Sequence, residues 1–253
     1  MKVITIGNQK GGVAKTTTAA ALWAAFYKHG KTALAIDLDP QRNLSDGVQA
    51  GQEKTVCGVL MGEITAEEAI QTINGRDIIA GAGYLAAADT LFTEIGKETR
   101  LKKALQPLKN KKVYDYIIID TPPNLGILTV NALAAADAAI IPVQADIYSL
   151  AGLMKYYNTI EAIREYFTPE LTVDGIVLTR YKPRTKLSRD INDLLNATAE
   201  KMHTGILQPP IRESIKAAEA PAQGMTLFDY APNSTIAADY YDLAGEIIRK
   251  GGE

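Results

Sequence analysis

The sequence predicts an α/β fold in which helices cover both faces of a mostly parallel, twisted sheet. Short apolar runs alternate with helical stretches along the chain, which is typical of βαβ units whose strands are buried on both faces. The chain has 253 residues, enough to bury a large core. No internal repeat or low-complexity linker divides it. We therefore expect one domain over residues 1–253.

The first strand and the first helix have the clearest patterns. Residues 3–7 are rich in β-branched side chains, and residues 16–29 form an alanine-rich helical stretch that stops at Gly30. The same reasoning predicts strands over residues 32–38, 78–80, 116–119, 138–143 and 173–178. It predicts helices over residues 98–108, 125–135, 149–166, 187–202 and 236–249. Segment 41–65, rich in Gly and Gln, is expected to be a loop with short helices.

Composition excludes several classes of protein. Lys and Arg number 27 against 29 Asp and Glu, a net charge of −2, which excludes a globally basic nucleic-acid coat but not a local basic patch. One cysteine, Cys57, allows neither an intrachain disulfide nor a multi-cysteine metal cage. The longest apolar stretch, 132–143, contains Asp137 and is too short to span a bilayer. The chain starts without a signal-peptide pattern, so we expect a cytoplasmic protein.

A glycine-rich loop lies between the first strand and the first helix. Residues 7–17 read GNQKGGVAKTT. A bound phosphate needs converging backbone N–H groups, a lysine on its outer oxygens and a hydroxyl for Mg²⁺. Gly11 and Gly12 let the backbone wrap a phosphate, while Lys15 and Thr16 supply the ammonium and the hydroxyl. The predicted phosphate contacts are Lys10, Gly11, Gly12, Val13, Ala14, Lys15, Thr16 and Thr17.

The loop departs from the ordinary phosphate-loop pattern. Gln9 and Ala14 stand at its two glycine positions, and a second lysine, Lys10, lies five residues before Lys15. This K-G-G-x-x-K-T-T form is the deviant Walker A motif. If Ala14 has a positive φ, alanine costs about 1 kcal/mol relative to glycine there.

Carboxylates follow two of the predicted strands. Asp37 and Asp39 end the strand over residues 32–38, and Asp120 ends the strand over residues 116–119. The carboxyl ends of parallel strands meet at one edge, where ligands of open α/β sheets bind. At that edge Asp120 can hold Mg²⁺ through water, and Asp39 can orient an attacking water.

Four segments together resemble the ParA/Soj-type DNA partition ATPases of the ParA/MinD group. They are KGGVAKTT (10–17), DLDPQ (37–41), IIIDTPP (117–123) and IRESIKAAEAP (211–221). They occur in the family's order, and the resemblance extends from Met1 to about Leu243. It implies a P-loop fold, Mg²⁺ and ATP as ligands, and slow ATP hydrolysis that a ParB-like centromere-binding protein stimulates.

The resemblance also implies roles for individual residues. Lys10 matches the lysine that reaches the partner's nucleotide in an ATP-sandwiched homodimer, Lys15 matches the phosphate lysine, and Asp39 matches the carboxylate that positions water. These three form the expected catalytic set. Metal-site residues are Thr16, Asp37 and Asp120, with Asp37 behind the direct ligands. The base-facing edge of the nucleotide pocket comprises Thr179, Arg180, Ile211 and Arg212, although Arg212 stands where the family commonly has proline.

Family members bind DNA without sequence preference through basic residues on a loop and on a late segment. The matching cations here are Arg180, Lys182, Arg184, Lys186, Arg189 and Lys216. Clustered cations suffice for contacts to phosphates, and the resemblance implies association with the nucleoid. The alternative is an ordinary solvated loop. We interpret a second basic stretch, 97–112, mainly as a solvated helix face.

Other members of the wider group are the rival interpretations. A MinD-like membrane or division-site ATPase needs a C-terminal amphipathic helix, but residues 243–253 are short of apolar bulk and contain Gly245. Iron–sulfur carriers need paired cysteines. ATPases that position other cargo share every motif above and stay open. Because the sequence begins directly at the first strand, we expect no N-terminal DNA-reading domain.

Overall fold

One sheet organises the molecule. The structure, a computed structural model, describes residues 1–111, 113–144, 146, 149–182 and 186–251. The strands are β1 (Lys2–Ile6), β2 (Ala33–Asp37), β3 (Gln71–Ile73), β4 (Arg76–Ile79), β5 (Tyr116–Asp120), β6 (Ala138–Gln144), β7 (Thr172–Thr179) and β8 (Ile206–Leu207). Their spatial order is β3-β4-β2-β5-β1-β6-β7-β8. Every pairing is parallel except β3 with β4, which confirms the predicted fold class.

Helices connect the strands and cover both faces of the sheet. The α-helices are α1 (Lys15–Lys28), α2 (Asn43–Asp46), α3 (Val56–Met61), α4 (Ala88–Leu91), α5 (Arg100–Lys111), α6 (Ile127–Ala135), α7 (Ser149–Tyr166), α8 (Lys186–Lys201), α9 (Lys216–Ala222), α10 (Leu227–Tyr230) and α11 (Thr235–Lys250). Short 3₁₀ turns cover Gly83–Ala87 and Lys97–Thr99. None of the helices in the described ranges has the length and apolar character that a membrane span requires.

Two hydrophobic cores lie on opposite sides of the sheet. Side chains alternate along each strand, so that Val3 and Ile117 join one core while Ile4 and Ile118 join the other. Helices α3, α5, α6, α7 and α8 pack on the first core. Helices α1, α10 and α11 pack on the second. The strands are therefore buried on both faces, and their carboxyl ends are left as the open edge.

The predicted elements match the structure to within about two residues at most ends. The helix over 149–166 is observed at those bounds, and segment 41–65 does contain two short helices, α2 and α3. Strands β3 and β8 were not predicted, because they have only 3 and 2 residues, too few for a period-2 pattern to show. Helices α4, α9 and α10 were also missed, because at 4 to 7 residues each they are too short to show a helical period of 3.6 residues.

The basic stretch on α5 is largely paired within the chain. Lys109 lies 2.8 Å from Asp137, and Lys111 lies 2.6 Å from Glu67. The Lys102 ammonium donates to the Thr168 hydroxyl at 3.1 Å. These contacts fit the interpretation of this stretch as a solvated helix face.

The C-terminal helix α11 uses its apolar face inside the fold. Leu243, Ala244 and Ile247 are buried in the second core, where α11 packs along α1. This face of α11 is therefore not free to lie on a membrane, as the MinD-like alternative would need.

Gly175 provides a test of the β7–β8 edge. A Cβ added at Gly175 would lie 2.4 Å from Cγ of the buried Leu207, whereas one added at Gly205 would meet nothing within 4 Å. We expect Gly175→Ala to lower the free energy of unfolding by about 1–3 kcal/mol through overpacking. The control Gly205→Ala should change it by less than about 0.5 kcal/mol. Urea unfolding measures both, and equal effects would contradict the packing described.

Candidate functional site

The glycine-rich loop lies at the carboxyl edge of the sheet, between β1 and α1. Gly12 has φ 77° and Ala14 has φ 66°, so the condition for strain at Ala14 is met. Helix α1 has no side-chain cap at its N-terminus and no acidic residue in its first turn. Its first N–H groups are therefore left for an outside acceptor, and the helix dipole favours an anion there.

Lys15 begins α1 and is the cation nearest to this helix end. It is buried, and its Nζ donates to the carbonyl oxygen of Lys10 at 3.1 Å. Burial lowers the pKa of Lys15, while the nearby carboxylates of Asp120 and Asp39 act to raise it. The Lys15 ammonium is thus close to Asp39 and Asp120. Among the residues that the structure describes, it forms a direct ion pair with neither of them.

Asp120, at the end of β5, is the most unusual carboxylate of the site. It is fully buried, and neither of its oxygens has a hydrogen-bond partner in the described part of the chain. Burial, followed by the neighbouring charge of Asp37, raises the pKa of Asp120 well above its ordinary value, and Thr16 and Lys15 act in the opposite direction. A buried, unpartnered carboxylate normally requires a compensating cation or water.

The donor set fits Mg²⁺ rather than a metal held by protein alone. The described residues contain no cluster of three or more His, Cys, Asp or Glu that could hold a metal ion. Mg²⁺ is usually bound by one or two carboxylates together with waters and substrate phosphates. Asp120 and the Thr16 hydroxyl, beside an open phosphate loop, are the residues that would hold it.

Asp37 and Asp39 shape the neighbouring loop. The Asp37 carboxylate accepts hydrogen bonds from the Ser45 hydroxyl at 2.6 Å, the Ser45 N–H at 2.9 Å and the Asp39 N–H at 3.0 Å. Burial raises the pKa of Asp37 to about 6, against these hydrogen bonds. The Asp37 carboxylate therefore anchors the loop that follows β2, and it lies behind the residues that would hold the metal ion. Among the described residues, the Asp39 carboxylate accepts only the Gln41 N–H, at 2.9 Å, while the Asp39 carbonyl accepts the Arg42 N–H at 2.9 Å.

A cavity of about 780 Å³ opens beside the loop, within the usual range for a small-molecule site. All four residues predicted for the base-facing edge line it: Thr179, Arg180, Ile211 and Arg212. The Thr179 hydroxyl donates to the Val13 carbonyl at 3.1 Å and so ties β7 to the phosphate loop. The Arg212 guanidinium is held by Asp239 of α11, at 2.5 Å and 3.0 Å, so it frames the cavity wall.

The predicted DNA-binding cations are only partly described. Lys182 pairs with Glu213 at 2.7 Å, and Lys216 pairs with Glu219 at 2.8 Å. Hydrogen bonds from these lysines lower the pKa of Glu213 and of Glu219. Arg180 is exposed, with φ 50°. Arg184 lies outside the described residues, as do the side chains of Lys186 and Arg189 in α8.

Sequence reasoning missed the residues around Lys10. Its Nζ lies 2.5 Å from Asp146 and 3.2 Å from the Ser149 hydroxyl. Asn8, which is buried, accepts the Lys10 N–H at 3.0 Å and donates to the Pro142 carbonyl at 2.7 Å. Asp146 lies two residues after β6, just as Asp39 lies two residues after β2, while Asp120 ends β5. The sheet-edge rule applied to one more strand could therefore have found Asp146.

At one sheet edge the structure places an uncapped helix N-terminus, a buried lysine and a carboxylate that has no hydrogen-bond partner in the described part of the chain. This arrangement is that of a P-loop nucleotide-binding protein with the deviant, two-lysine loop. A family model described as an AAA domain matches residues 1–173. The chain is 37% identical to the sporulation initiation inhibitor protein Soj of Bacillus subtilis, over 99% of both chains. It is 35% identical to the chromosome partitioning protein ParA of Caulobacter vibrioides, over 99% of this chain and 95% of that protein. The chain belongs to this ParA/Soj family.

Solved structures agree on the fold. A crystal structure described as cobyrinic acid a,c-diamide synthase from Mycobacterium smegmatis, with bound ATP analogue and magnesium, superposes with a TM-score of 0.84. It is 32% identical and covers 100% of this chain and 97% of its own. The same protein has also been solved with ADP and magnesium.

The strained Ala14 gives a stability test. We expect Ala14→Gly to raise the free energy of unfolding by at most about 1 kcal/mol, because relief of the positive φ outweighs the added freedom of the unfolded chain. Ala20→Gly, within the regular part of the same helix, should lower it by about 0.5–1 kcal/mol. Urea unfolding of both variants measures the difference in sign. A loss of similar size at both positions would contradict the strain.

Proposed function

We propose that the protein is an ATPase of DNA segregation, for a plasmid or a chromosome, whose loop of residues 7–17 binds Mg·ATP. One observation carries the proposal: the uncapped N-terminus of α1, the buried Lys15 and the unpartnered Asp120 lie together. Family membership supports it, since Soj and ParA relatives match the chain over nearly its whole length. The M. smegmatis protein has a different name from the Soj and ParA relatives. Its crystal structures nevertheless contain the ligands that we propose here, an adenine nucleotide and magnesium.

Each residue has a part in hydrolysis that follows from its position. The N–H groups at the start of α1 and the Lys15 ammonium bind the phosphates. Thr16 and Asp120 hold Mg²⁺, which neutralises charge on the β- and γ-phosphate oxygens. Asp39 has one oxygen fixed by the Gln41 N–H, and its other oxygen orients the attacking water.

Lys10 couples hydrolysis to pairing of two copies of the chain. Charge spreads over the γ-phosphate oxygens during transfer, and a cation supplied by a second subunit stabilises it. Lys10 carries the second ammonium of the loop, and the hydrogen bond from Lys15 goes to the Lys10 backbone carbonyl rather than to this ammonium. In this proposal ATP assembles a sandwich dimer, and slow hydrolysis, stimulated by a ParB-like centromere-binding protein, resets it.

The dimer is proposed to bind DNA without sequence preference and so to associate with the nucleoid. Lys182 is exposed and Lys216 is half-buried, and each is paired with an acid of similar exposure, Glu213 and Glu219 respectively. Exposed ion pairs are weak, so DNA phosphates can replace the two carboxylates. Pairing of subunits doubles the number of such contacts.

Nucleotide binding and hydrolysis are separable by mutation. Lys15→Gln should weaken binding of a non-hydrolysable ATP analogue about 10- to 150-fold, because a charged hydrogen bond is lost. Asp39→Ala should retain binding, slow hydrolysis about 100-fold or more and trap the dimer. Calorimetry measures binding, and phosphate release measures hydrolysis. The control is Glu53→Ala, which changes an exposed glutamate in segment 41–65. Wild-type turnover by Asp39→Ala would rule out its role with water.

The salt dependence of DNA binding tests the basic face. Each of Lys182→Ala and Lys216→Ala removes two phosphate contacts per dimer, so the slope of log K against log salt should fall by about 1.8. Lys109→Ala, whose ammonium pairs with Asp137 on another surface, serves as the control and should leave the slope unchanged. Fluorescence anisotropy on duplexes of unrelated sequence measures the slope. If neither variant changes it, the DNA face lies elsewhere.

A further inference from the structure

The side chain of Lys10 is folded back onto its own chain. Its Nζ lies 2.5 Å from Oδ2 of Asp146 and 3.2 Å from Oγ of Ser149, the first residue of α7. The other carboxylate oxygen of Asp146 accepts the Ser149 N–H at 3.0 Å. Burial raises the pKa of Asp146, but hydrogen bonds from Lys10 and Ser149 outweigh it, and the net pKa is below its ordinary value. The acceptor of the Lys10 ammonium is thus itself fixed.

The backbone that carries Lys10 is fixed as well. Asn8 bridges the Lys10 N–H and the Pro142 carbonyl. Helix α7 lies directly against this part of the loop: a Cβ at Gly152 would come within 3.4 Å of both Asn8 and Lys10, and one at Gly7 would overlap the hydroxyl of Tyr156. With the loop backbone held in this way, a rotation of the Lys10 side chain is enough to carry its ammonium away from Asp146.

We propose that Asp146 is a positioning residue that holds Lys10 on its own subunit, so that nucleotide-driven pairing must first break this ion pair. The inference rests on the proposed function of Lys10 toward a second copy of the chain. An ammonium that neutralises Asp146 is not available to a phosphate of the partner's nucleotide. The ion pair therefore opposes dimerisation and keeps the free subunit inactive.

The size of the effect follows from exposure and symmetry. The two side chains are 29% and 28% exposed, so the pair is partly screened, and breaking it changes an equilibrium by about 1.5- to 5-fold. A symmetric dimer releases two such pairs. Removing the ion pair from both subunits should therefore change the dimer dissociation constant by the square of this factor, about 2- to 25-fold.

The test is Asp146→Asn, which removes the charge and keeps the shape. With Mg²⁺ and a non-hydrolysable ATP analogue, sedimentation velocity should give a dimer dissociation constant about 2- to 25-fold lower than wild type. Asp174→Asn is the matched control: Asp174 pairs with Lys2 at 2.6 Å with similar exposure, at the opposite edge of the sheet. In a Lys10→Ala background, Asp146→Asn should have no effect. An unchanged constant, or an equal change without Lys10, would overturn the inference.

A second measurement separates this inference from the proposed function. In nucleotide-free protein, Lys10 should react with limiting acetic anhydride about 1.5- to 5-fold faster in Asp146→Asn than in wild type, as measured by peptide mass spectrometry with Lys2 as internal reference. If wild type forms no dimer with the ATP analogue, the proposed function fails, and acylation alone then decides whether the ion pair exists. Equal acylation rates would disprove it.

Discussion

The uncapped N-terminus of α1 beside the buried Asp120 carboxylate is the arrangement on which the rest of the structure depends. Unpaired N–H groups and an unpaired buried carboxylate both carry a free-energy penalty, and the fold leaves both at the same edge. A phosphate satisfies the first and a divalent cation satisfies the second. Mg·ATP removes both penalties together, which is a physical reason for the chain to retain them.

Helix α7 packs against the part of the phosphate loop that carries Lys10. Tyr156 lies under Gly7, Gly152 lies against Asn8 and Lys10, and Ser149 helps to hold the Lys10 ammonium. The half of the loop that carries Lys10 is therefore supported by α7, whereas the half that carries Lys15 is supported by α1. The two lysines thus lie on separate supports that are joined by the hydrogen bond from Lys15 to the Lys10 carbonyl. In the proposed function, this arrangement would let phosphate binding and pairing of subunits be successive events.

Local patterns predicted the parts of the structure that depend on near neighbours in the chain. The parallel sheet, the phosphate loop and the carboxylates at strand ends all follow from short runs and motifs. Contacts between distant segments were beyond reach: Lys10 with Asp146 is separated by 136 residues, and Asn8 with Pro142 by 134. The pairing of Arg212 with Asp239 was also unforeseen, since only the packing of α11 beside the cavity brings them together. The assignments carried over from the family to Arg184 and to the side chains of Lys186 and Arg189 stay predictions.

Ion pairs within the chain also affect how nucleotide would control DNA binding in the proposed function. Of the proposed DNA contacts, Lys182 and Lys216 each have an acidic partner in the chain, so a single subunit presents little uncompensated charge at these two positions. When a phosphate replaces each carboxylate, the free energy gained in the new contact is nearly offset by that lost in the old one. One subunit alone therefore gains little binding free energy. Two subunits on one duplex double the released counterions, and the affinity rises with the number of contacts rather than with the strength of each. In the proposed function such a switch would need no rearrangement of the basic face, because pairing of subunits would by itself set the number of contacts to DNA.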